Sequence, residues 1–260
     1  MIYRVRLASS IDDKYGYLQG NLCLSEGVSF QKGNNIIIGP NGSGKSSLID
    51  AIACAFCSRD VFTSTQERGP FSRLAIIQDL IPAIHSFEVD ADYSKRIYQL
   101  CTPQAISRRK RDMKFFSPSD FTRLMDLDYS SSGEFLKRSL VLTIQDMFQS
   151  RPDFPLEDME SLLGKESSEW REYVSYREKH STYSENSPVT LILDEPDRGL
   201  DIDNSLQLGS FLSAVRDDVQ MICTLHNPIL IKSLMNKEGV HFIETEKGYL
   251  DKVCSFCEKY

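Results

Sequence analysis

Residues 39–46 read Gly39-Pro40-Asn41-Gly42-Ser43-Gly44-Lys45-Ser46. The spacing is G-x-x-x-x-G-K-S, that of a loop whose backbone N–H groups cradle phosphate. Its surroundings agree with that reading. Ahead of it, residues 35–38 (NIII) form a short apolar run that reads as a buried strand. Behind it, residues 46–56 (SSLIDAIACAF) are apolar at helical spacing, so the order is strand, loop, helix. Gly39, Gly42 and Gly44 let the backbone curl, some of them at positive φ, with N–H groups turned inward. Those N–H groups and the helix N-terminus attract phosphate. Lys45 supplies a point charge for the β- and γ-phosphates, and Ser46 a hydroxyl for Mg²⁺. The phosphate-binding set is therefore Gly39, Pro40, Asn41, Gly42, Ser43, Gly44, Lys45, Ser46 and Ser47.

Strands and helices alternate again in the last third of the chain. Residues 189–193 (VTLIL) read as a buried strand ending in Asp194-Glu195-Pro196, and residues 201–215 as a helix. Residues 219–225 read as another strand, ending at His226-Asn227-Pro228, with a helix from 229 to 235. Residues 240–243 and 249–253 read as two last strands around Lys247-Gly248. This alternation predicts an α/β domain with a mainly parallel sheet. A parallel sheet presents ligands at the C-terminal ends of its strands. Gly39, Asp194 and His226 each lie just past such an end, so three strand ends can converge on one nucleotide. Asp194 is the expected carboxylate for the Mg²⁺ shell, alongside Ser46. Glu195 is the candidate base for the attacking water, and His226 a candidate γ-phosphate contact that helps position that water. The bland alternatives are a strand-to-turn ending and a capping or buried structural His.

The N-terminal half is more mixed. Residues 2–7 (IYRVRL) alternate as a half-exposed strand would, and residues 22–30 read as a second strand with Gly27 as turn or bulge. Residues 58–72 are polar with a Gly-Pro break and read as a loop; residues 74–84 suit a short helix. Residues 86–93 and 96–101 alternate and suggest an antiparallel hairpin. The early strands add an antiparallel sheet beside the parallel one. Residues 117–120 read as a helix start followed by 121–127 (FTRLMDL), residues 133–147 as a helix, and residues 150–187, polar and holding Trp170, as a small inserted helical piece. The expected organisation is one domain over residues 1–260, with a helical subdomain and insertion over 107–187.

The totals narrow the class. The chain has 260 residues, 41% hydrophobic and 26% charged, as an ordinary globular protein has. No apolar run reaches about 18 residues, the length that would read as a membrane span. The N-terminus has no apolar signal segment, so a cytoplasmic location is expected. A net charge of −7 argues against coating nucleic acid over the whole surface but permits a local basic patch. Arg108, Arg109, Lys110 and Arg111 form one basic run, which suits either nucleic-acid phosphates or a solvated loop. Phe115-Phe116 behind it suits a core better than a base-stacking platform. The seven cysteines fit reduced thiols in the cytosol. Cys54/Cys57 and Cys254/Cys257 have the ligand count of a zinc site, although the first pair falls inside the helix after the phosphate loop.

Together GPNGSGKSS, LILDEP, Arg198-Gly199-Leu200-Asp201 and Thr224-Leu225-His226-Asn227 resemble the ABC-type ATPases. They match that family's Walker A, Walker B with catalytic Glu, D-loop and H-loop, in the right order. The family's signature sequence is best matched by Ser130-Ser131-Ser132-Gly133-Glu134, a shortened Ser-x-Gly-Glu form like that of the chromosome-maintenance, RecF-like and OLD-like ATPases. The resemblance implies a P-loop NTPase fold, ATP and Mg²⁺ as cofactors, and a head-to-tail homodimer closed by ATP. It further implies that Ser131, Gly133 and Glu134 of one copy meet the nucleotide held by Lys45 of the other. Three features depart from the pattern. The Q-loop glutamine is unsettled among Gln78, Gln99 and Gln104. The aromatic that stacks on adenine in transporters falls at Tyr15 or Tyr17, either of which could equally be a surface or core residue. Arg198 replaces a small D-loop residue, where it could add a contact across the dimer.

The RecF/SMC/OLD-like class implies a soluble ATPase that acts on nucleic acid or governs a separate effector protein such as a nuclease or toxin. The Asp194–Asp201 stretch is also similar to that of anti-phage ATPases of Septu-like and retron-associated systems. The alternatives are the nucleotide-binding subunit of a membrane transporter, and a nucleotide-gated scaffold that hardly hydrolyses ATP.

Overall fold

The computed structural model describes residues 1–55, 81–93, 97–100, 167–180, 187–214 and 217–259. Two sheets carry the fold. The larger holds β3 (Gly33–Ile38), β5 (Ile97–Leu100), β6 (Val189–Leu193), β7 (Val219–Thr224) and β8 (Val240–Glu244) in the order β5-β6-β7-β3-β8, every pair parallel. The smaller is antiparallel, with β1 (Ile2–Leu7) between β2 (Val28–Ser29) and β4 (Phe87–Ala91). The α/β fold with a parallel sheet and an added N-terminal antiparallel sheet is therefore as the sequence predicts.

Side chains alternate across the parallel sheet and fill two cores. Ile37, Ile192 and Ile222 face the smaller sheet and pack with Leu48, Ile49, Ile52, Phe87 and Val89. Ile36, Ile38, Leu191, Leu193, Met221 and Cys223 face the other way. There they meet three helices: α4 (Ile202–Leu212), α5 (Pro228–Leu234) and α6 (Tyr249–Lys259). Burial on both faces explains why β3, β6 and β7 carry consecutive apolar residues, Ile36–Ile38, Leu191–Leu193 and Met221–Cys223, rather than strict alternation. Each such Ile or Leu, fully buried, contributes roughly 1.5–3 kcal/mol.

One buried polar side chain joins the two sheets. Gln220 of β7 is fully buried. Its Oε1 accepts from Ile2 N–H (2.8 Å) and Thr190 Oγ1 (2.9 Å), and its Nε2 donates to Ile2 O (2.7 Å) and Gln31 O (3.1 Å). The amide thus pairs with β1 much as a neighbouring strand would, and every bond it needs is made.

Three predicted elements differ. Residues 22–30 are not one strand: α1 (Leu22–Glu26) comes first, and only Val28–Ser29 is extended. Asn21 caps that helix, its side chain accepting from Leu24 N–H, and Gly27 ends it at φ 92°. The expected hairpin of residues 86–101 is absent; β4 pairs with β1, and β5 with β6. Alternation marks a strand but does not name its partner. Residues 249–253 open α6 rather than a strand, because Tyr249, Val253 and Cys257 form a helical stripe on the second core. Within the expected insertion, α3 (Ser168–His180) lies against β4 with Trp170 and Tyr173 buried. The helices predicted at 117–127 and 133–147 lie outside the described residues, as do the basic run 108–111 and Phe115-Phe116.

Candidate functional site

The register of the parallel sheet aligns the exits of its strands. Ile37 pairs with Thr224, Leu193 with Cys223, and Ile38 with Glu244. The segments after β3, β6, β7 and β8 therefore leave from one edge, where an open cleft of about 1020 Å³ is found. It is lined by Tyr17, Asn41, Gly42, Gly44, Lys45, Ser46, Ser47, Glu195, Asp197, Arg198, His226, Asn227 and Pro228.

On one side is the loop of residues 39–44, followed by α2 (Lys45–Ala55). Gly42 and Gly44 have φ of 79° and 90°, the left-handed region that glycine enters freely. The first N–H groups of α2 have no partner within the helix, and its first residues, Lys45, Ser46 and Ser47, line the cleft. Lys45 is buried, and its Nζ donates to Gly39 O and Pro40 O, both at 2.9 Å. Burial pulls its ammonium below the ordinary lysine range, while the carboxylates of Glu195 and Asp194 pull the other way. Both carboxylates are thus electrostatically close to the lysine.

Three side chains brace this loop from outside. Asn21 Nδ2 donates to Ser43 O at 3.0 Å. Thr245, just past β8, shares a hydrogen bond with Ser43 Oγ (2.6 Å) and takes hold of Ile38 O (3.2 Å). A Cβ on Gly39 would stand 1.9 Å from Thr245 Oγ1, so any larger residue there would force Thr245 to move. Tyr17 OH lies 2.6 Å from Ser47 Oγ.

On the other side are the exits of β6 and β7. Thr224 Oγ1 donates to Asp194 Oδ1 (2.7 Å) and accepts from Glu195 N–H (2.8 Å). Glu195 has φ 49°, unusual for a non-glycine residue, and this hydrogen bond holds it there. Its Oε1 lies 3.0 Å from His226 Nε2, and its Oε2 lies 3.4 Å from Arg198 Nη1. The His226 contact is close in distance but off the line of a hydrogen bond, so Nε2 is a buried atom without such a bond. Asp197, also buried, accepts from the N–H groups of His226 (2.7 Å) and Asn227 (2.6 Å) through Oδ2. Asn227 in turn caps α5 through Ile229 and Leu230 N–H.

Of the sequence-predicted residues, Asn41, Gly42, Gly44, Lys45, Ser46, Ser47, Glu195 and His226 line one cleft. Gly39, Pro40 and Ser43 form the loop's outer frame, and Asp194 stands behind the lining, tied to Thr224. Ser131, Gly133 and Glu134 lie outside the described residues, as do Gln78, Gln104 and Cys57. Of Tyr15 and Tyr17, Tyr15 is buried edge-on against Phe87, whereas Tyr17 is 67% exposed at the cleft. Arg198 stands beside Glu195 of its own chain. Among the described residues no cluster of three or more His, Cys, Asp or Glu suits a metal ion, and no helix is long and apolar enough to cross a membrane.

Sequence reasoning missed Thr224, Asp197, Asn21 and Thr245. Thr224 carries a faint signal, a polar residue closing an apolar strand just before His226. Asp197 and Thr245 carry none, because their partners are far away in the chain.

Residues 23–193 match the family model described as an AAA domain. The match takes in the phosphate loop and ends on the last residue of β6, one position before Asp194. No curated protein matches the chain.

Proposed function

The chain belongs to the AAA-domain family of P-loop ATPases, and on that premise we propose that it binds ATP with Mg²⁺ in the cleft and hydrolyses it, using Glu195 and His226. The carrying observation is the 3.0 Å approach of His226 Nε2 to Glu195 Oε1 in the cleft that also holds Lys45.

Phosphate oxygens are received by the N–H groups of the loop and of the α2 N-terminus. The Lys45 ammonium exchanges the carbonyls of Gly39 and Pro40 for the β- and γ-phosphates. Partial burial suits it to that exchange, since its two present partners are neutral carbonyls and a phosphate oxygen carries charge. Ser46 and Asp194 would hold Mg²⁺; a hydroxyl and a carboxylate are oxygen donors of the kind a hard cation takes. When bound, the ion neutralises charge on the β- and γ-oxygens. Glu195 takes the proton of the attacking water, and His226 orients that water against the γ-phosphate. Tyr17, at the mouth of the cleft, offers its ring face to the base.

The cleft is open, and the signature residues Ser131, Gly133 and Glu134 would be supplied by a second copy that closes it head to tail. On the same reading the chain is of the RecF/SMC/OLD-like class and governs a separate effector protein or acts on nucleic acid, with anti-phage defence as the setting.

The test is the Glu195→Gln variant with ATP and Mg²⁺. Turnover should fall on the order of 10²- to 10⁴-fold, as for loss of a general base, while ATP stays bound and the protein elutes as a dimer. Wild-type turnover no faster than the variant's would leave only a nucleotide-gated scaffold. A persistent monomer would remove the homodimer from the reading.

A further inference from the structure

The exits of β6 and β7 are fastened to each other twice. Thr224 makes the first fastening, to Asp194 and Glu195. Asp197 makes the second, and its geometry is more selective. One carboxylate oxygen, Oδ2, receives two successive backbone N–H groups, His226 at 2.7 Å and Asn227 at 2.6 Å. Such paired bonds to an ionised acceptor are short and strong, and they fix the orientation of the peptide that joins the two residues.

That peptide sets the direction of the His226 side chain. Downstream the segment is fixed again, because Asn227 caps α5 and Pro228 opens it. Upstream, Thr224 ends β7 with its hydroxyl committed to the β6 exit. His226 is therefore held from both sides, with its ring left to face Glu195. Asp197 sits in the same turn as Glu195, two residues later, and the turn is closed by Arg198 N–H to Glu195 O (3.1 Å). The residue that fixes the histidine's backbone is thus rigidly joined to the residue the histidine faces.

The remaining oxygen of Asp197, Oδ1, is buried and has no hydrogen-bond partner among the described residues. A buried carboxylate with one idle oxygen costs free energy that a hydroxyl acceptor would not. Two simultaneous N–H acceptances in this tight turn account for an acidic group here better than general stability does.

We propose that Asp197 is a positioning residue for hydrolysis, acting through the His226 and Asn227 amides to hold the His226 ring against Glu195. It takes no proton and holds no phosphate. The inference rests on the ATPase reading above and adds to it a specific division of labour.

The experiment is steady-state ATP hydrolysis and calorimetric ATP binding on the full chain. The variants are Asp197→Ala, Asp197→Asn, His226→Ala and the Asp197→Ala/His226→Ala double. Asp197→Ala should lower kcat on the order of 10- to 100-fold, as misplacement of a working group by about 1 Å does. ATP affinity should stay within about threefold, because the phosphate grip lies on the other wall. The double variant should be no slower than His226→Ala alone, since the acid works only through the histidine. Asp197→Asn keeps an oxygen that can accept both N–H groups and should stay within about threefold of wild type, the difference between charged and neutral acceptors.

An unaltered kcat in Asp197→Ala, additive losses in the double, or affinity falling in step with kcat would each overturn the proposal. If Asp197→Ala does not fold, Asp197→Asn decides, and a loss of about tenfold or more in that variant overturns it. A wild type that binds ATP without turning it over would sink the hydrolysis reading itself, and is recognised before any variant is compared.

Discussion

Replacing Gly39 by alanine tests the phosphate loop at its most constrained point. The added Cβ would stand 1.9 Å from Thr245 Oγ1, 2.9 Å from Ser43 Oγ and 3.2 Å from Thr245 Cβ. The first distance falls about 1.5 Å inside the 3.4 Å at which ordinary contact begins. Thr245 must turn away, and in doing so it gives up both its bond to Ser43 Oγ and its bond to Ile38 O. Overpacking of this kind costs about 1–3 kcal/mol. Two lost hydrogen bonds add about 1 kcal/mol each. If roughly 2 kcal/mol of that total appears as a displaced loop, ATP affinity falls about 30-fold, the remainder appearing as lower stability. Calorimetric titration with ATP and Mg²⁺, paired with urea unfolding, separates the two. Adding Thr245→Ala to Gly39→Ala removes the worst clash and should recover part of both losses, leaving the Ser43 hydroxyl, 2.9 Å from the added Cβ, to rotate away. Wild-type affinity and stability in Gly39→Ala, or no recovery in the double variant, would refute the steric account.

Other consequences follow from buried groups elsewhere. Gln220→Ala would take away the partner that Gln220 gives to the N–H and carbonyl of Ile2 and to the Thr190 hydroxyl at the seam of the two sheets, while Gln31 O keeps its bond from Asn35 Nδ2 (2.9 Å). Urea unfolding should show a loss of about 3 kcal/mol or more; a loss under about 1 kcal/mol would mean that water replaces the amide. Alkaline pH should also weaken the fold. Burial pushes the Tyr176 hydroxyl up to about 12 from its ordinary 10.0, and burial pushes the Cys223 thiol up as well. Above each ordinary value the unfolded chain has released a proton that the folded chain still holds, so stability falls as pH rises. For Tyr176 the loss runs from pH 10 to about 12 and amounts to about 2–3 kcal/mol. Lys45, lowered, acts in the opposite sense below 10.5. Tyr176→Phe should flatten the unfolding free energy between pH 10 and 12, and an unchanged slope would place the effect elsewhere.

The legible parts of the sequence are those whose causes are local. Residues 35–46 carry strand, turn and helix signals within a dozen positions, and β6 and β7 declare themselves by apolar runs that only double-faced burial explains. Glu195 and His226 could be named because each directly follows its strand. Where sequence reasoning failed, the deciding partner was distant or the window too short. The cap at Asn21 and the stop at Gly27 did mark α1, but the apolar spacing of residues 22–30 fitted a strand equally well. The stripe of α6 needs Cys257, four positions past the point where the reading stopped. The partners of β4 and β5 lie far away in opposite directions along the chain, at β1 and β6, beyond any local pattern. Asp197 looks like one more turn acid until its contacts across to His226 are seen.

The two walls of the cleft are held by separate sets of residues, and this separation bears on how the site works. The phosphate loop is steadied by Asn21 and Thr245, from α1 and from the end of β8. The Glu195–His226 wall is steadied by Thr224 and Asp197, from β7 and the β6 exit. The walls meet where β3 lies beside β7, with Ile37 opposite Thr224 and Leu225 N–H reaching Ile37 O at 3.2 Å. Distant groups with no shared partner contribute nearly independently. Grip on the nucleotide and alignment for hydrolysis can therefore be lost one at a time, the first through Thr245 and the second through Asp197. Among the described backbone pairings the β3–β7 one carries both, and it is buried on two faces by Ile36, Ile37 and Ile222, among the least exposed side chains described.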